Sequence, residues 1–189
     1  MSQHGIFSSE VEVTLNATDD LSGVNVTYYR LDIGDIKTYT EPFIVSGHGS
    51  HVLVYRSVDN AGNVEKWKVI YIEIDLIPPY VILTWEILEN RCVKFVTYVY
   101  DDWCGPYKVD YYIDDEYKQT IYDIDLFEWI WIPPGPGCYV AKVVVYDKAE
   151  NSGQDMLGVD VPKVYSPRKI NLYNFISRFS DLFILNFIS

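Results

Sequence analysis

Two stretches of this 189-residue chain spell the same phrase twice, and no other feature limits the fold as tightly. The first runs Val13-Thr-Leu-Asn-Ala-Thr-Asp-Asp-Leu-Ser-Gly23 and is closed later by Val58-Asp-Asn-Ala-Gly-Asn63. The second runs Val96-Thr-Tyr-Val-Tyr-Asp-Asp-Trp-Cys-Gly105 and is closed by Tyr146-Asp-Lys-Ala-Glu-Asn151. Asp19 to Asp101 is 101 − 19 = 82 residues, and Asp59 to Asp147 is 147 − 59 = 88. A period of that size is one small domain, so the chain reads as a tandem array. Arrays of small β domains serve as spacers and binding surfaces more often than as catalysts.

Alternation sets the element type. Val11, Val13, Leu15 and Ala17 share one face, with Glu12, Thr14 and Asn16 on the other, the pattern of a half-buried antiparallel strand. The same reading gives strands near 24–31, 36–39, 43–45, 51–58 and 67–75, and one at Tyr80–Leu88. Leu21-Ser-Gly23, Gly34-Asp35, Gly47-His-Gly49 and Asn60-Ala-Gly-Asn63 supply the turn residues between them. In the second repeat, Asp114-Asp-Glu116 predicts a hairpin and Pro133-Pro-Gly-Pro-Gly137 an exposed loop. Many short strands with regular turns predict an all-β fold of two antiparallel sandwiches, over 1–76 and 77–163. Ile77-Pro-Pro79 reads as a stiff linker that sets the domains end to end. The first domain has only nine residues where the second has a strand, so its first strand reads as truncated and the chain as a fragment of a longer protein.

From about Ser166 the period changes. Leu172, Phe175, Ile176, Phe179, Leu182, Phe183 and Phe187 recur at helical spacing, which predicts a short amphipathic helix within 164–189. Three readings stay open for it: packing on a neighbouring domain, lying in a membrane interface, or part of a membrane anchor.

A net charge of −12 argues against a nucleic-acid partner. Apolar residues make up 49% of the chain, which argues against intrinsic disorder. No nucleophile elbow, phosphate loop or zinc-protease helix occurs, so no catalytic residue is assigned and the chain reads as a non-enzyme. His48 and His51 stand close together, but two histidines make a weak zinc signal and a structural role is favoured.

Tyr28-Tyr-Arg-Leu-Asp32, Tyr39-Thr-Glu-Pro-Phe-Ile44, Gly49-Ser-His51 and Tyr55-Arg-Ser-Val-Asp-Asn-Ala-Gly-Asn-Val64 occur in order. Together they resemble prokaryotic Ig-like surface repeats, closest to the leptospiral outer-membrane-protein-type β repeat family, over about residues 10–76. Val109-Asp-Tyr-Tyr-Ile-Asp-Asp115 and Val143-Val-Val-Tyr-Asp-Lys-Ala-Glu-Asn151 make the second repeat similar to a related Ig-like module. It departs where Glu150 replaces Gly62, and where Trp103-Cys-Gly105 replaces Leu-Ser-Gly. The resemblance implies two tandem Ig-like sandwiches in a secreted or cell-surface protein, serving as spacer or adhesion module. Its partners would be further repeats of the same protein, and a surface protein or glycan. The alternative is an accessory ligand- or carbohydrate-binding module of an extracellular hydrolase.

In an Ig-like sandwich the B–C and F–G turns lie at one end. In the second domain that end faces the linker, which would gather Asp75, Asp101, Asp102, Asp147 and Asn151. Hard oxygens in such a group suit Ca²⁺. The competing reading is that these side chains cap their own turns. Asp19, Asp20, Asp59 and Asn63 form the corresponding set in the first domain.

Cys92 and Cys138 each lie nine residues before a turn aspartate, at the same end of strands B and F. Cys104 is roughly 30 Å off at ~3.3 Å per residue, which leaves Cys92–Cys138 as the one pairing that distance allows. Alternation opposes it, because it turns both cysteines away from the core. Cys104 reads as a loop thiol without function. Asn16-Ala-Thr18 and Asn25-Val-Thr27 fit the glycosylation pattern at Asn16 and Asn25. Trp67, Trp103, Trp129 and Trp131 are candidates for stacking on a sugar or protein, Trp103 foremost; the core is the other reading for Trp129 and Trp131.

Overall fold

The structure is a computed structural model that describes residues 2–122 and 127–163. The helix expected within 164–189 lies outside the described residues. Thirteen strands and one short 3-10 turn make up the described chain, and none of its helices is long and apolar enough to cross a membrane.

The first sandwich opens with β1 (Val11–Val13), which pairs antiparallel with β4 (Phe43–Val45). Its second sheet has the order β3-β2-β5-β6, from β2 (Val24–Leu31), β3 (Lys37–Thr38), β5 (Gly49–Asp59) and β6 (Lys68–Ile74). β1 is shorter than its alternation because β4 offers only three partners. The alternating burial nevertheless continues to Ala17. Val45, Leu53, Ile72 and Ile74 form the buried centre, and Val11, Val13, Leu15, Tyr29 and Phe43 pack against it. Each of the buried Val45, Leu53, Ile72 and Ile74 side chains contributes about 1.5–3 kcal/mol by leaving water. Ahead of β1, Phe7 forms a parallel bridge to Ile74.

The second sandwich has seven strands. β7 (Tyr80–Ile87), β8 (Val93–Tyr100) and β11 (Phe127–Trp131) form one sheet in the order β11-β8-β7. β9 (Pro106–Ile113), β10 (Glu116–Tyr122), β12 (Gly137–Asp147) and β13 (Ser152–Val161) form the other, ordered β10-β9-β12-β13. Asp114 and Asp115 make the two-residue turn between β9 and β10 with φ of 50° and 63°. Positive φ at both positions matches the right-handed twist of the flanking strands.

Alternation sorts the core. Val93, Phe95 and Thr97 of β8 face inward, as do Ala141, Val143 and Val145 of β12. Phe127 and Trp131 of β11 are buried with them, and the half-buried Trp129 stacks on Phe95 at 5.6 Å between ring centres. The paired tryptophans are thus core. The same alternation turns Cys92 and Cys138 outward from opposite sheets. All three cysteines are free thiols, so the Cys92–Cys138 pairing is not formed.

The described chain divides into two compact units. One comprises the residues up to Pro79 with Tyr100–Tyr107 and Tyr146–Gly153; the other comprises Tyr80–Val99, Lys108–Val145 and the strand from Gln154 onward.

Candidate functional site

The doubled phrases fold into the same two turns. In the first repeat, Asp19 Oδ2 accepts from the backbone N–H groups of Leu21, Ser22 and Gly23 at 3.2, 2.7 and 2.8 Å. In the second, Asp101 Oδ1 accepts from Trp103 and Gly105 at 3.2 and 2.6 Å. The closing phrases match as well. Asn63 donates to Asp59 through its backbone and its side chain, both at 2.7 Å. Asn151 does the same to Asp147, both at 2.9 Å. A bond from Asn60 N to Gly23 O ties the two turns of the first repeat, and Lys148 N to Gly105 O ties those of the second. Short Asx side chains that bond the backbone two to four residues on are turn formers, which is why the phrases recur.

Burial separates the two copies. Asp19, Asp20 and Asn63 are exposed and Asp59 is half-buried. Bonds from the Gly23, Leu21 and Ser22 backbone hold the Asp19 carboxyl below its usual range, and the Asn63 side chain does the same for Asp59. Among the described residues this set forms no group of three or more metal-ligating side chains. Asp147, with the same bonds, is 0% exposed. Burial pushes its carboxyl up, against the Asn151 bonds, and Asp75 and Asp101 push the same way.

Asp75 follows β6 and is also 0% exposed. Its Oδ1 accepts from Ile77 N at 3.0 Å, and its backbone oxygen from Asn151 Nδ2 at 2.9 Å. One donor atom each of Asp75, Asp101, Cys104 and Asp147 lies within 4.8 Å of the others. All four residues belong to the first compact unit. Two carboxylate oxygens of this group, Asp75 Oδ2 and Asp101 Oδ2, are buried without a hydrogen-bond partner. The Cys104 thiol adjoins Asp75, but a thiol is a weak donor. Burial first, then Asp75, pushes that thiol up to about 12.

The structure therefore brings together Asp75, Asp101 and Asp147 from the predicted set and adds Cys104, which sequence reasoning had set aside. Asn151 orients: its amide nitrogen bridges Asp75 O and Asp147 Oδ2. Asp102 is exposed and falls in a second group with His48 and Asp75. There, His48 Nδ1 accepts from Leu76 N at 3.3 Å and lies 3.4 Å from Asp75 Oδ1. These contacts exclude each other as hydrogen bonds, since an Nδ1 that accepts has no proton to give Asp75.

A third doubled device escaped the sequence reading. Asp32 and Asp114 end β2 and β9 with φ of 52° and 50°. Asp32 accepts from Val52 N at 2.8 Å and Asp114 from Val140 N at 2.8 Å. Their offsets, 114 − 32 = 82 and 140 − 52 = 88, repeat those of the turn phrases and were the signal available.

The remaining candidates stand apart. Asn16 and Asn25 are exposed. Trp103 is 46% exposed, with its ring edge-on to His48 at 5.4 Å. Trp67 lies under the Arg56 guanidinium at 4.4 Å. His51 Nδ1 pairs with Asp32 Oδ2 at 3.0 Å.

Fibronectin(III)-like modules of Clostridium thermocellum CbhA match with a TM-score of 0.50 and 15% identity, over 87% of this chain and 93% of that one. The fold is fibronectin-III-like and Ig-like. Weaker matches are a cytokine receptor complex, at TM-score 0.41 and 14% identity over 85% and 94% of the two chains, and the D00-D0 domain of intimin. The latter has a TM-score of 0.35 and 10% identity over 85% and 96%. No family model matches the sequence, and no curated protein matches it. At these identities the likeness establishes architecture alone.

Proposed function

We propose that this chain is a non-catalytic pair of Ig-like repeats from a secreted or cell-surface protein, with a spacing or adhesive role. The observation that carries the reading is the doubled turn. Asp19 and Asp101, and Asp59 and Asp147, make the same bonds at fixed offsets. Carboxylates engaged in this way shape backbone, which is what a repeated scaffold requires. The phrases shared with leptospiral-type surface repeats favour the same reading. Antibody labelling of intact cells of the source organism tests it. Labelling before lysis is expected, and labelling that appears only after lysis would remove the surface assignment.

One observation favours the alternative of an accessory binding module: the exposed indole of Trp103, edge-on to His48. Exposed indoles stack on apolar sugar faces and on partner proteins. On a glycan array the spacer reading expects no saturable binding. Saturable binding that Trp103→Ala weakens tenfold or more would replace spacer with carbohydrate-binding module.

A further inference from the structure

Three carboxyl groups meet in the first compact unit with little positive charge near them. Asp75 and Asp147 are completely buried and Asp101 is half-buried. Among the described residues no lysine or arginine forms an ion pair with any of the three; Asp75 has only His48, at 3.4 Å. Buried charges are ordinarily paired, hydrogen-bonded or bound to metal. Here each carboxylate has one oxygen fixed by backbone N–H: Asp75 by Ile77, Asp101 by Trp103 and Gly105, Asp147 by Asn151. That fixes their directions in advance. The second oxygens of Asp75 and Asp101 are buried with no hydrogen-bond partner, the weakly donating Cys104 thiol being the nearest group to Asp75 that the structure offers. Such oxygens cost about 1–3 kcal/mol or more apiece when nothing meets them.

We propose that Asp75, Asp101 and Asp147 together hold a Ca²⁺ ion, with the unpartnered oxygens of Asp75 and Asp101 among its ligands. The donor chemistry selects a hard cation, because three of the four converging residues offer carboxylate oxygen. The spacing also fits. Two oxygens on opposite sides of Ca²⁺, each at about 2.4 Å, stand roughly 4.8 Å apart, and the donor atoms here lie within 4.8 Å of one another. Carboxylates that bind through both oxygens, with water, would complete the six to eight ligands that Ca²⁺ takes. Cys104 contributes the single soft donor, and Zn²⁺ is the ion it would favour. The first repeat shows what the turn does without such a site: among the described residues the exposed Asp19 and half-buried Asp59 make the same bonds and join no group of three metal-ligating side chains. The inference is independent of where the protein resides, so an intracellular location would leave it untouched.

The test is titration calorimetry of the intact chain, stripped with chelator, against CaCl₂, MgCl₂ and ZnCl₂, alongside thermal melts. One Ca²⁺ per chain is expected. At a free concentration of about 100 times Kd the unfolding equilibrium should shift about 100-fold, a Tm rise on the order of 5–10 °C. Asp75→Asn and Asp101→Asn keep their size and abolish both the binding and the rise, while Asp19→Asn keeps both. If circular dichroism finds Asp75→Asn unfolded, Asp101→Asn alone carries the test. Absence of heat and of any Tm change with Ca²⁺ up to millimolar concentrations would overturn the site. Binding of Zn²⁺ alone, lost in Cys104→Ser, would overturn the Ca²⁺ assignment.

Discussion

Glu150 stands where the first repeat has Gly62, and both lie in the left-handed region, at φ of 74° and 87°. A side chain there costs about 1–2 kcal/mol that glycine avoids. Glycine returns part of that gain through the larger freedom of its unfolded chain. Glu150→Gly is therefore expected to stabilise the protein by about 0.5 kcal/mol, and Gly62→Ala to destabilise it by about 1 kcal/mol. Urea unfolding midpoints check both. The His51–Asp32 pair is the other residue-scale device. Its hydrogen bond to Asp32 raises His51, helped by the Gly47 carbonyl and Glu73, and the same bond followed by Val52 N–H lowers Asp32. The His51 contribution is complete below its unfolded value of about 6.5 and is lost as pH rises through its higher folded value. The Asp32 contribution is present above about 3.9 and is lost as pH falls through its lower folded value. The pair thus stabilises most between roughly pH 4 and 6.5. Asp32 is 39% exposed, so the effect stays below about 1 kcal/mol. The stability gap between wild type and His51→Gln should be wider at pH 5.5 than at pH 8.5; an equal gap at both would mean the pair contributes nothing.

At the scale of elements, Tyr111 links the two sheets of the second sandwich. It stands on β9, and its hydroxyl lies 2.8 Å from Thr97 Oγ1 on β8 and donates to Phe127 O on β11 at 3.1 Å. The phenol is 1% exposed, and burial pushes it up to about 12. Tyr111→Phe leaves a buried carbonyl and a buried hydroxyl without this partner, at an expected cost of about 1–3 kcal/mol. Guanidinium unfolding would measure it, and a loss under 0.5 kcal/mol (a small fraction of that estimate) would show that water replaces the hydroxyl. Strands were the most readable part of the sequence, because period-2 burial leaves its mark on every residue: Val11, Val13 and Leu15 face in, Glu12, Thr14 and Asn16 out. Tyr111 was invisible as a link, since a tyrosine on an alternating strand looks the same whether its hydroxyl reaches water or the opposite sheet.

At the scale of the molecule, local and long-range information part company. The Asp19 and Asp101 turns were legible as turns because their bonds run to residues two to four positions on. Which carboxylates would converge was legible only in part. Strand order placed Asp75, Asp101 and Asp147 together, but Cys104 looked like an isolated loop thiol. Asn151 looked like a ligand although both its amide bonds go to Asp75 O and Asp147 Oδ2. Side-chain direction in a packed turn depends on contacts that no local pattern encodes. Net charge, by contrast, is a property of the whole: at −12 it disfavours polyanions and suits a chain that attracts divalent cations.

The bond from Asn151 to the Asp75 carbonyl spans 76 residues. A ribosome adds about 5–20 residues per second, so roughly 4–15 s separate the synthesis of these two partners. For nearly all of that interval the nascent first unit carries Asp75 without Asp147 or Asn151, and for about its first third without Asp101 or Cys104. Its carboxylate is then still hydrated, and the buried cluster comes into being only after most of the chain has been made.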